Sequence, residues 1–343
     1  MKAALYYEPG KAQYEDIDTP QAGPGELVVK IGAALTCGTD LKSLRRGHPV
    51  LLKNPPCGFG HEFAGTVQQV GDGVESFEPG DRVVAVNSAP CYQCYPCKKG
   101  QHNLCENLNF LNGAYAEYIK IPAQIVKYNT YKLPEHTPFE MAAFTEPLAV
   151  CLRGVELSGI SAGDHVAILG LGTIGQLLVR LAKWKGAHVT AIARNPFKLE
   201  VAKRFGMADD TVAIEDSWSP ECLKADHSPD GRGFDVVIEA VGLPKTWEQA
   251  IALVRRGGTV NLFAGCEKGS SIQIDTRRLH YDEITLLSLF HHTPFYVKKA
   301  LDLMTSLTLD PTPLIHERMP MAEFEAALQK IEAGQAIKIA LTP

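Results

Sequence analysis

The sequence lacks any apolar run of roughly 18 residues, the length that a helix needs to cross a bilayer. Its most apolar stretch begins at Val166 and is broken by Gln176 and Arg180. The N-terminal segment carries one lysine and a short apolar run that ends at Glu8 and Pro9, a pattern typical of a first strand rather than of a signal peptide. We therefore expect no membrane partner and a cytoplasmic protein.

An excess of positive charge is also absent. The 34 lysines and arginines are outnumbered by 39 aspartates and glutamates, which gives a formal charge of -5 and an isoelectric point near 6.1. This balance offers no basic surface for a phosphate backbone, so we expect no nucleic-acid partner. Internal repeats and low-complexity linkers are missing as well. A chain of 343 residues can form two domains, each with its own core.

The two parts of the chain differ in their hydrophobic pattern. Up to about residue 145, short β-branched runs are separated by Pro-Gly and Gly-Asp turns, which predicts a compact, barrel-like β domain. Beyond about residue 150, strand-like runs alternate with helical ones, which predicts parallel βαβ units. The strands expected are 26–31, 66–70, 82–86, 115–121, 165–169, 188–193, 235–240, 259–264, 284–290 and 337–341, and the helices are 174–185, 295–305, 322–333 and one that starts near 196.

Four of the nine cysteines lie in one short segment, as Cys91, Cys94, Cys97 and Cys105. In a reducing compartment, clustered cysteines indicate a metal site before they indicate disulfides. Four thiolates complete a tetrahedral shell and leave no open position, so the site should be structural. Zinc is the expected metal, and an iron–sulfur cluster is the alternative that the spacing leaves open.

A second set of potential ligands is spread over three segments that contain Cys37, His61 and Glu146. Each residue alone has an ordinary explanation, such as a small buried cysteine or a helix-start carboxylate. Together they form a mixed set of thiolate, imidazole and carboxylate with room for a further ligand, which is the pattern of a catalytic zinc site.

A glycine-rich turn, GLGTIG, follows the strand-like VAIL and opens a helical segment. It contains Gly170, Gly172, Thr173, Ile174 and Gly175. Glycines at this spacing permit a tight turn and let a pyrophosphate approach a helix N-terminus, where free N–H groups favour anions. A methyltransferase would also place a glycine loop after its first strand, but it would not explain the metal ligands.

With these motifs in order, the sequence resembles the zinc-containing medium-chain alcohol dehydrogenase/reductase family over its whole length. The resemblance rests on CGTD, GFGHEFAGTV, GDRV, the four-cysteine loop, TEPLAV and GLGTIG. The TEPLAV segment, with glutamate as its third-ligand residue, resembles the corresponding segment of the sorbitol, threonine and sugar-alcohol dehydrogenase branch. The resemblance implies an α/β protein with a GroES-like β-barrel catalytic domain, 1–149 completed by 286–343, and a Rossmann domain with a doubly wound parallel sheet, 150–285.

The resemblance also implies roles for individual residues. Cys37, His61 and Glu146 would bind the catalytic zinc, and Glu62 would bind it directly or through water. Asp40 would orient His61, and Thr39 stands where the family places the hydroxyl that bonds to the substrate alcohol. The chain departs from many relatives at Lys42, where they have a histidine of a proton relay.

The function implied is hydride transfer between NAD(P) and a secondary alcohol or polyol, or the matching ketone or aldehyde, with two zinc ions per chain. We expect a homodimer or homotetramer. Two alternatives stay open at this point: a zinc-independent NADPH quinone or enoyl reductase, and a non-catalytic, metal-stabilised binding protein on the same fold. The ligand set argues against the first, and the second is disfavoured by the joint presence of Thr39, Asp40, Cys37, His61 and Glu146.

The cofactor expected is NADP in preference to NAD, with NAD possible. An acidic residue about 20 positions beyond the glycines usually binds the adenosine ribose hydroxyls. Here Ala193 ends the second strand, and Arg194, Asn195 and then Lys198 follow. Without an acid there is no repulsion of a 2′-phosphate, and Arg194 can offer it a planar fork of donors.

His291 and His292 follow the last strand of the predicted Rossmann domain. The sequence leaves open that the pair reaches the active-site cleft, but it favours a position at a helix N-terminus or on the surface.

Overall fold

A computed structural model describes all residues, Met1–Pro343, as two compact units. One unit contains Met1–Val150 and His291–Pro343, and the other contains Cys151–Phe290. The second boundary lies five residues beyond the expected 285, because the strand Thr285–Ser288 is hydrogen-bonded into the sheet of the second unit.

The regular elements are numbered in chain order. The strands are β1 (Lys2–Glu8), β2 (Lys11–Asp16), β3 (Leu27–Leu35), β4 (Cys57–Gly58), β5 (Glu62–Val70), β6 (Arg82–Ala85), β7 (Ser88–Ala89), β8 (Asn109–Phe110), β9 (Tyr118–Ile121), β10 (Thr130–Lys132), β11 (His165–Leu169), β12 (His188–Ala193), β13 (Asp210–Ala213), β14 (Phe234–Glu239), β15 (Val254–Leu262), β16 (Thr285–Ser288), β17 (Ile315–Pro320) and β18 (Lys338–Thr342). The helices are α1 (Gly38–Arg46), α2 (Tyr95–Lys98), α3 (Ala123–Asn129), α4 (Phe139–Ala142), α5 (Thr145–Leu157), α6 (Thr173–Trp184), α7 (Pro196–Val201), α8 (Pro220–His227), α9 (Pro244–Leu253), α10 (Thr276–Tyr281), α11 (Pro294–Thr305) and α12 (Phe324–Glu332).

The first unit is built on a seven-stranded sheet in the order β10-β6-β5-β3-β18-β17, with β9 also paired to β3. Its central strand β3 is almost wholly buried, which agrees with its nearly continuous run of apolar residues, LVVKIGAAL. The strand β18 comes from the C-terminal part of the chain and pairs antiparallel with β3. The core therefore needs both chain segments of this unit.

The second unit holds a six-stranded sheet in the order β13-β12-β11-β14-β15-β16, and all of its strand pairs are parallel. Counted from β11, this is the order 3-2-1-4-5-6 of a doubly wound dinucleotide-binding sheet. Helices follow the strands, as the alternation in the sequence predicted. No helix of the protein combines the length and the apolar character that a membrane span would need.

Periodicity predicted β11 and β12 with their observed bounds, and the predicted helix at 174–185 is α6, shifted by one residue. It missed α1, for a local reason. This helix is polar, and its N-cap is Cys37 rather than the serine, threonine, aspartate or asparagine that usually marks a helix start.

Candidate active site and metal centres

The pairing register of two central strands brings Cys37 and His61 together. In the antiparallel pair β3–β5, Leu35 lies opposite Glu62. Cys37 follows the end of one strand, and His61 precedes the start of the other, so both side chains lie at the same end of the sheet. Two residues far apart in sequence thus become neighbours through backbone pairing alone.

Asp40 fixes the orientation of both neighbours. One of its carboxylate oxygens accepts a hydrogen bond from the backbone N–H of Cys37 at 3.1 Å and closes the capping box of α1. The other lies 2.9 Å from Nδ1 of His61. The Tyr115 hydroxyl donates to Asp40 at 2.6 Å and holds the carboxylate in place. With Nδ1 donating to Asp40, the second ring nitrogen of His61 has the lone pair that a metal ligand needs.

Ligand atoms of Cys37, His61 and Glu62 lie within 4.8 Å of one another. Burial alone would lower the pKa of His61, but the negative charges of Asp40 and Cys37 outweigh it and raise that pKa well above its usual range. The surroundings therefore favour positive charge at this point. A thiolate, an oriented imidazole and a carboxylate in such a field fit a zinc ion, whose ligands are of these types.

Glu62 forms a buried ion pair that no sequence pattern predicted. Its carboxylate lies 2.5 Å from Nζ of Lys338, and both side chains are at most 1% exposed. Lys338 starts β18, and Ala340 of this strand lies opposite Leu35 of β3. Because the strands are antiparallel, the residue two before Ala340, Lys338, lies beside the residue two after Leu35, Cys37. Burial lowers the pKa of Lys338, but the charges of Glu62 and Cys37 more than compensate and raise it. Glu62 is thus a carboxylate with a fixed counter-charge.

Glu146 lies near the group of Cys37, His61 and Glu62, but its carboxylate belongs to a different cluster of potential metal ligands. Its carboxylate lies within 4.8 Å of ligand atoms of His291 and His292. Burial raises the pKa of Glu146 to about 7, while His61 lowers it and Glu62 raises it, so both residues lie within electrostatic reach. Among the three ligands expected from the sequence, Cys37 and His61 are therefore brought together with Glu62, and Glu146 stands beside them.

Of the two positions that the sequence favoured for His291 and His292, the helix N-terminus is confirmed and the surface is wrong. His292 is buried, and the side chain of His291 is 9% exposed. The pair does precede a helix, since Thr293 is the N-cap of α11, but the preceding loop turns both rings inward. The polar residues around His291 and His292 in the sequence could not show this burial, because only the fold brings the Glu146 carboxylate close to the two rings.

Thr39 and Lys42 occupy the first turns of α1. The backbone N–H of Thr39 donates to the Cys37 sulfur at 3.4 Å, so Thr39 adjoins the ligand set, and its side chain is half-buried. Lys42 is exposed. The structure therefore does not bring Lys42 into the buried group that contains Asp40 and His61.

The four-cysteine loop forms a second cluster in the same unit. Cys91, Cys94, Cys97 and Cys105 are free thiols, and their sulfurs lie within 4.8 Å of one another. The sulfurs of Cys94 and Cys105 are 3.8 Å apart. Four sulfurs about 2.3 Å from one tetrahedral ion lie about 3.8 Å from each other, so this cluster fits a single zinc ion. An iron–sulfur cluster needs a wider spread, since its sulfurs ligate different irons.

Backbone N–H groups donate hydrogen bonds to the sulfurs of Cys91 and Cys105. Gln93 donates to the Cys91 sulfur at 3.4 Å, and this bond is the main reason why the pKa of Cys91 falls to about 6. Cys105 accepts from the N–H groups of Cys91 at 3.2 Å and Asn107 at 3.3 Å. Hydrogen bonds of this kind stabilise thiolates, the form in which cysteine binds metals.

The glycine turn lies in the second unit, between β11 and α6. Gly170 has φ +93°, and a Cβ on Gly175 would lie 1.9 Å from the carbonyl oxygen of Gly170. A side chain at either position would therefore break the turn. Gly172 is the N-cap of α6, and a Cβ there would meet nothing within 4 Å. Thr173 and Ile174 open the helix, so its N-terminus begins beside the open space at Gly172, where a bound anion is favoured.

A cavity of about 370 Å³ extends from this turn along the ends of the parallel strands. Arg194, Asn195 and Lys198 line it together with Gly170 and Gly172. Dinucleotides bind at this edge of doubly wound sheets. The cavity thus joins the phosphate-binding turn to the positions that would meet the adenosine ribose.

Charges of both signs line the ribose end of the cavity, with Arg194, Lys198 and Lys245 positive and Glu215 and Asp216 negative. Burial, and then the charge of Arg194, lower the pKa of Lys198, which shows that the two cations lie within reach of each other. Arg194 forms an exposed ion pair with Asp216 at 2.9 Å. Asn195 caps α7 by accepting from the N–H of Phe197 at 2.9 Å, so it shapes the loop as well as lining the cavity.

Comparison with known families agrees with both units. Residues 23–135 match the alcohol dehydrogenase GroES-like domain, and residues 173–306 match the zinc-binding dehydrogenase domain. L-threonine 3-dehydrogenase of Bacillus licheniformis is 32% identical over 99% of this chain and 98% of its own length. Sorbitol dehydrogenase of Bacillus subtilis is 30% identical over 96% of this chain and 93% of its own.

Solved structures give the same result. A zinc-binding dehydrogenase of Sinorhizobium meliloti 1021, solved with NADP bound, superposes with a TM-score of 0.89 and is 33% identical. The match covers 100% of this chain and 99% of that one. Similarity over the full length of both proteins means that all three sites described above lie inside the matched region.

Proposed function

Because the chain belongs to the zinc-containing medium-chain alcohol dehydrogenase family, we propose that it transfers hydride between NADP and a secondary alcohol or polyol, or the matching ketone or aldehyde. That it is a zinc-dependent alcohol or polyol oxidoreductase follows from its relatives, which are dehydrogenases of threonine and sorbitol among others. The observation that carries the proposal is the joint presence of the Cys37–His61–Asp40 group and the open glycine turn.

Each residue of the first group has a distinct task in this proposal. Cys37 and His61, with a carboxylate from Glu62 or Glu146, would hold zinc, which when bound supplies Lewis-acid chemistry that lowers the pKa of an alcohol. Asp40 positions His61 and keeps its tautomer fixed. The Thr39 hydroxyl takes the proton from the substrate oxygen and passes it toward solvent. Lys42 is exposed on the same helix as Thr39, where its positive charge affects the electrostatic potential at the point where the proton reaches solvent.

The second group binds the cofactor, which supplies the hydride chemistry. The N–H groups at the start of α6, with Gly172, would bind the pyrophosphate, and Thr173 and Ile174 present them. Gly170 and Gly175 let the helix approach the strand closely enough for this. Arg194 and Lys198 would bind the 2′-phosphate, and Asn195 would hold the loop that carries them.

A comparison of interaction free energies at Arg194 favours NADP over NAD. The ion pair of Arg194 with Asp216 is exposed, and exposed pairs contribute only about 0–1 kcal/mol. A hydrogen bond to a charged group contributes about 1.5–3 kcal/mol, so a phosphate can displace Asp216 from Arg194. Lys198 would gain an anionic partner in place of a neighbouring cation. The NADP bound to the Sinorhizobium meliloti relative agrees with this preference.

A substrate panel tests the function. We expect secondary alcohols, polyols and hydroxy amino acids to give reduced nicotinamide, followed by absorbance, with both NAD and NADP offered. Oxidation of at least one of these classes should depend on bound zinc and be lost after chelation. Turnover of quinones or enoyl substrates by the zinc-free protein would instead favour the zinc-independent reductase, and binding without turnover would favour a non-catalytic protein.

The cofactor preference gives a sharper prediction. The wild-type kcat/KM should be roughly ten- to hundredfold higher with NADP than with NAD, as one charge-assisted hydrogen bond implies. The double variant Ala193→Asp, Arg194→Leu should reverse the ratio, because the new carboxylate repels the 2′-phosphate and binds the ribose hydroxyls. Arg204→Leu is the matched control, since Arg204 is exposed in the same unit outside the cavity. Equal use of the two cofactors by the wild type would contradict the proposal.

We also propose that the protein is cytoplasmic and forms a homodimer or homotetramer. Free thiols at all nine cysteines suit a reducing compartment. The strand β16 ends the parallel sheet with an unpaired edge, and an open edge strand is a surface that a second chain can extend. Light scattering on the purified protein measures the oligomeric state.

A further inference from the structure

A second group of metal-ligand types surrounds Glu146. Its carboxylate and ring nitrogens of His291 and His292 all lie within 4.8 Å of one another. The three residues belong to the same unit as Cys37 and His61. None of them is a ligand of the four-cysteine loop, and the two histidines have no role in the function proposed above.

Both imidazoles are oriented from behind. His292 donates from Nε2 to Oδ1 of the buried Asn87 at 3.1 Å, and an amide oxygen can only accept. Nε2 of His291 lies 2.5 Å from the Ser88 hydroxyl. A neutral ring that donates from Nε2 carries its lone pair on Nδ1. In His291, Nδ1 is the nitrogen that lies 4.0 Å from the Glu146 carboxylate.

The backbone is shaped to present the two rings side by side. His291 has φ +64°, a left-handed conformation that is costly for a residue with a side chain. The ring centroids of His291 and His292 are 3.9 Å apart. Unfavourable backbone angles persist where the surrounding structure enforces them, often at binding sites.

We propose that Glu146, His291 and His292 form a metal-binding site beside the one at Cys37 and His61. Two imidazoles oriented by hydrogen bonds and one carboxylate are a ligand set that zinc and other divalent transition metals accept, with positions left open. Hydrogen bonds at the outer nitrogens, such as the one donated to Asn87 and the one shared with the Ser88 hydroxyl, are the usual way in which proteins orient such ligands. The site contains no thiolate, which distinguishes it chemically from both cysteine-containing sites.

This proposal does not depend on the enzyme's substrate, because it concerns metal binding in the absence of turnover. Glu146 can serve both sites, since it lies within electrostatic reach of His61 and within 4.8 Å of ligand atoms of both histidines. With three protein ligands and no thiolate, the site should bind more weakly than the cysteine sites. It should therefore fill from added metal, not during purification.

Cobalt(II) titration tests the site. The zinc-loaded protein should bind one further equivalent of Co²⁺, with visible d–d absorption and without the near-ultraviolet thiolate-to-cobalt band. His291→Ala and His292→Asn should each lose this equivalent while they keep the zinc content and the unfolding transition of the wild type. Asn87→Ala should weaken Co²⁺ binding roughly 10–100-fold, the usual effect of removing a group that orients a metal ligand. His136→Ala, an exposed histidine of the same unit, is the matched control.

Three results would overturn the proposal: no further equivalent, a further equivalent that persists in both histidine variants, or one that carries the thiolate band. If His292→Asn unfolds, His291→Ala decides, because the His291 side chain is less buried. Repeating the titration with Cys37→Ser separates the two sites, since the N/O-coordinated equivalent should remain when the neighbouring thiolate is gone.

Discussion

Replacing Cys37 by serine should remove one of two tightly bound zinc ions and lower kcat about a thousandfold or more. Lewis-acid stabilisation of the developing charge contributes several kcal/mol, and each 1.4 kcal/mol corresponds to a factor of ten in rate. The fold should survive, because Cys37 lies at the end of β3 and the sheet itself does not depend on it. Metal analysis, kcat and thermal unfolding of the same sample are the measurements.

Cys94→Ser should give the complementary result. It should remove the other zinc and lower stability, and a loss of about 2 kcal/mol would move the unfolding midpoint by roughly 4–8 °C in a domain of this size. Cys222→Ser, at an exposed cysteine of the other unit, should keep both zinc ions and full activity. A wild-type protein with one tightly bound metal, or with iron at the four cysteines, would contradict the assignment of two zinc sites.

The second large effect is expected at Thr39. Thr39→Val keeps the shape of the side chain but removes its hydroxyl, and groups that transfer a proton at this step contribute about 10²–10⁴ in rate. We expect kcat to fall within this range while the zinc content stays unchanged, because Thr39 donates to the Cys37 sulfur from its backbone N–H, which the valine variant keeps.

Thr39→Ser is the matched control, since it restores a hydroxyl at the same position and should recover most of the activity. Steady-state rates measured across pH with one substrate and saturating cofactor compare the three proteins. Near-normal kcat of the valine variant at neutral pH would show that the proton leaves by a route that avoids Thr39.

Local patterns in the sequence predicted the parts of the site that are contiguous in the chain. The glycine turn and the four-cysteine loop are each complete within a short segment, so spacing alone indicates the chemistry. The strands β11 and β12 were equally clear, because they are buried on both faces and their apolar runs are short and bounded. The family resemblance then added Asp40 and Thr39, which no spacing rule would have selected.

The site residues that the sequence did not predict depend on contacts between segments that are distant in the chain. Lys338 is an ordinary lysine in the sequence, and only the pairing of β18 with β3 places it against Glu62. His291 and His292 resembled surface histidines because their partners, Asn87, Ser88 and Glu146, are distant in the chain. Such residues can be recognised from a single sequence only when the register of the sheet is already known.

The pairing of β18 with β3 also has a consequence for biosynthesis. Chains fold progressively as they emerge from the ribosome, yet the central sheet of the first unit stays open until β18 has been made. Until then Glu62 has no lysine partner, and a buried charge without its partner costs several kcal/mol. The proposed metal ligands Cys37 and His61 are therefore assembled late, after the whole of Cys151–Phe290 has been synthesised. A nascent chain that stalls before Lys338 should expose this unfinished sheet and depend on chaperones.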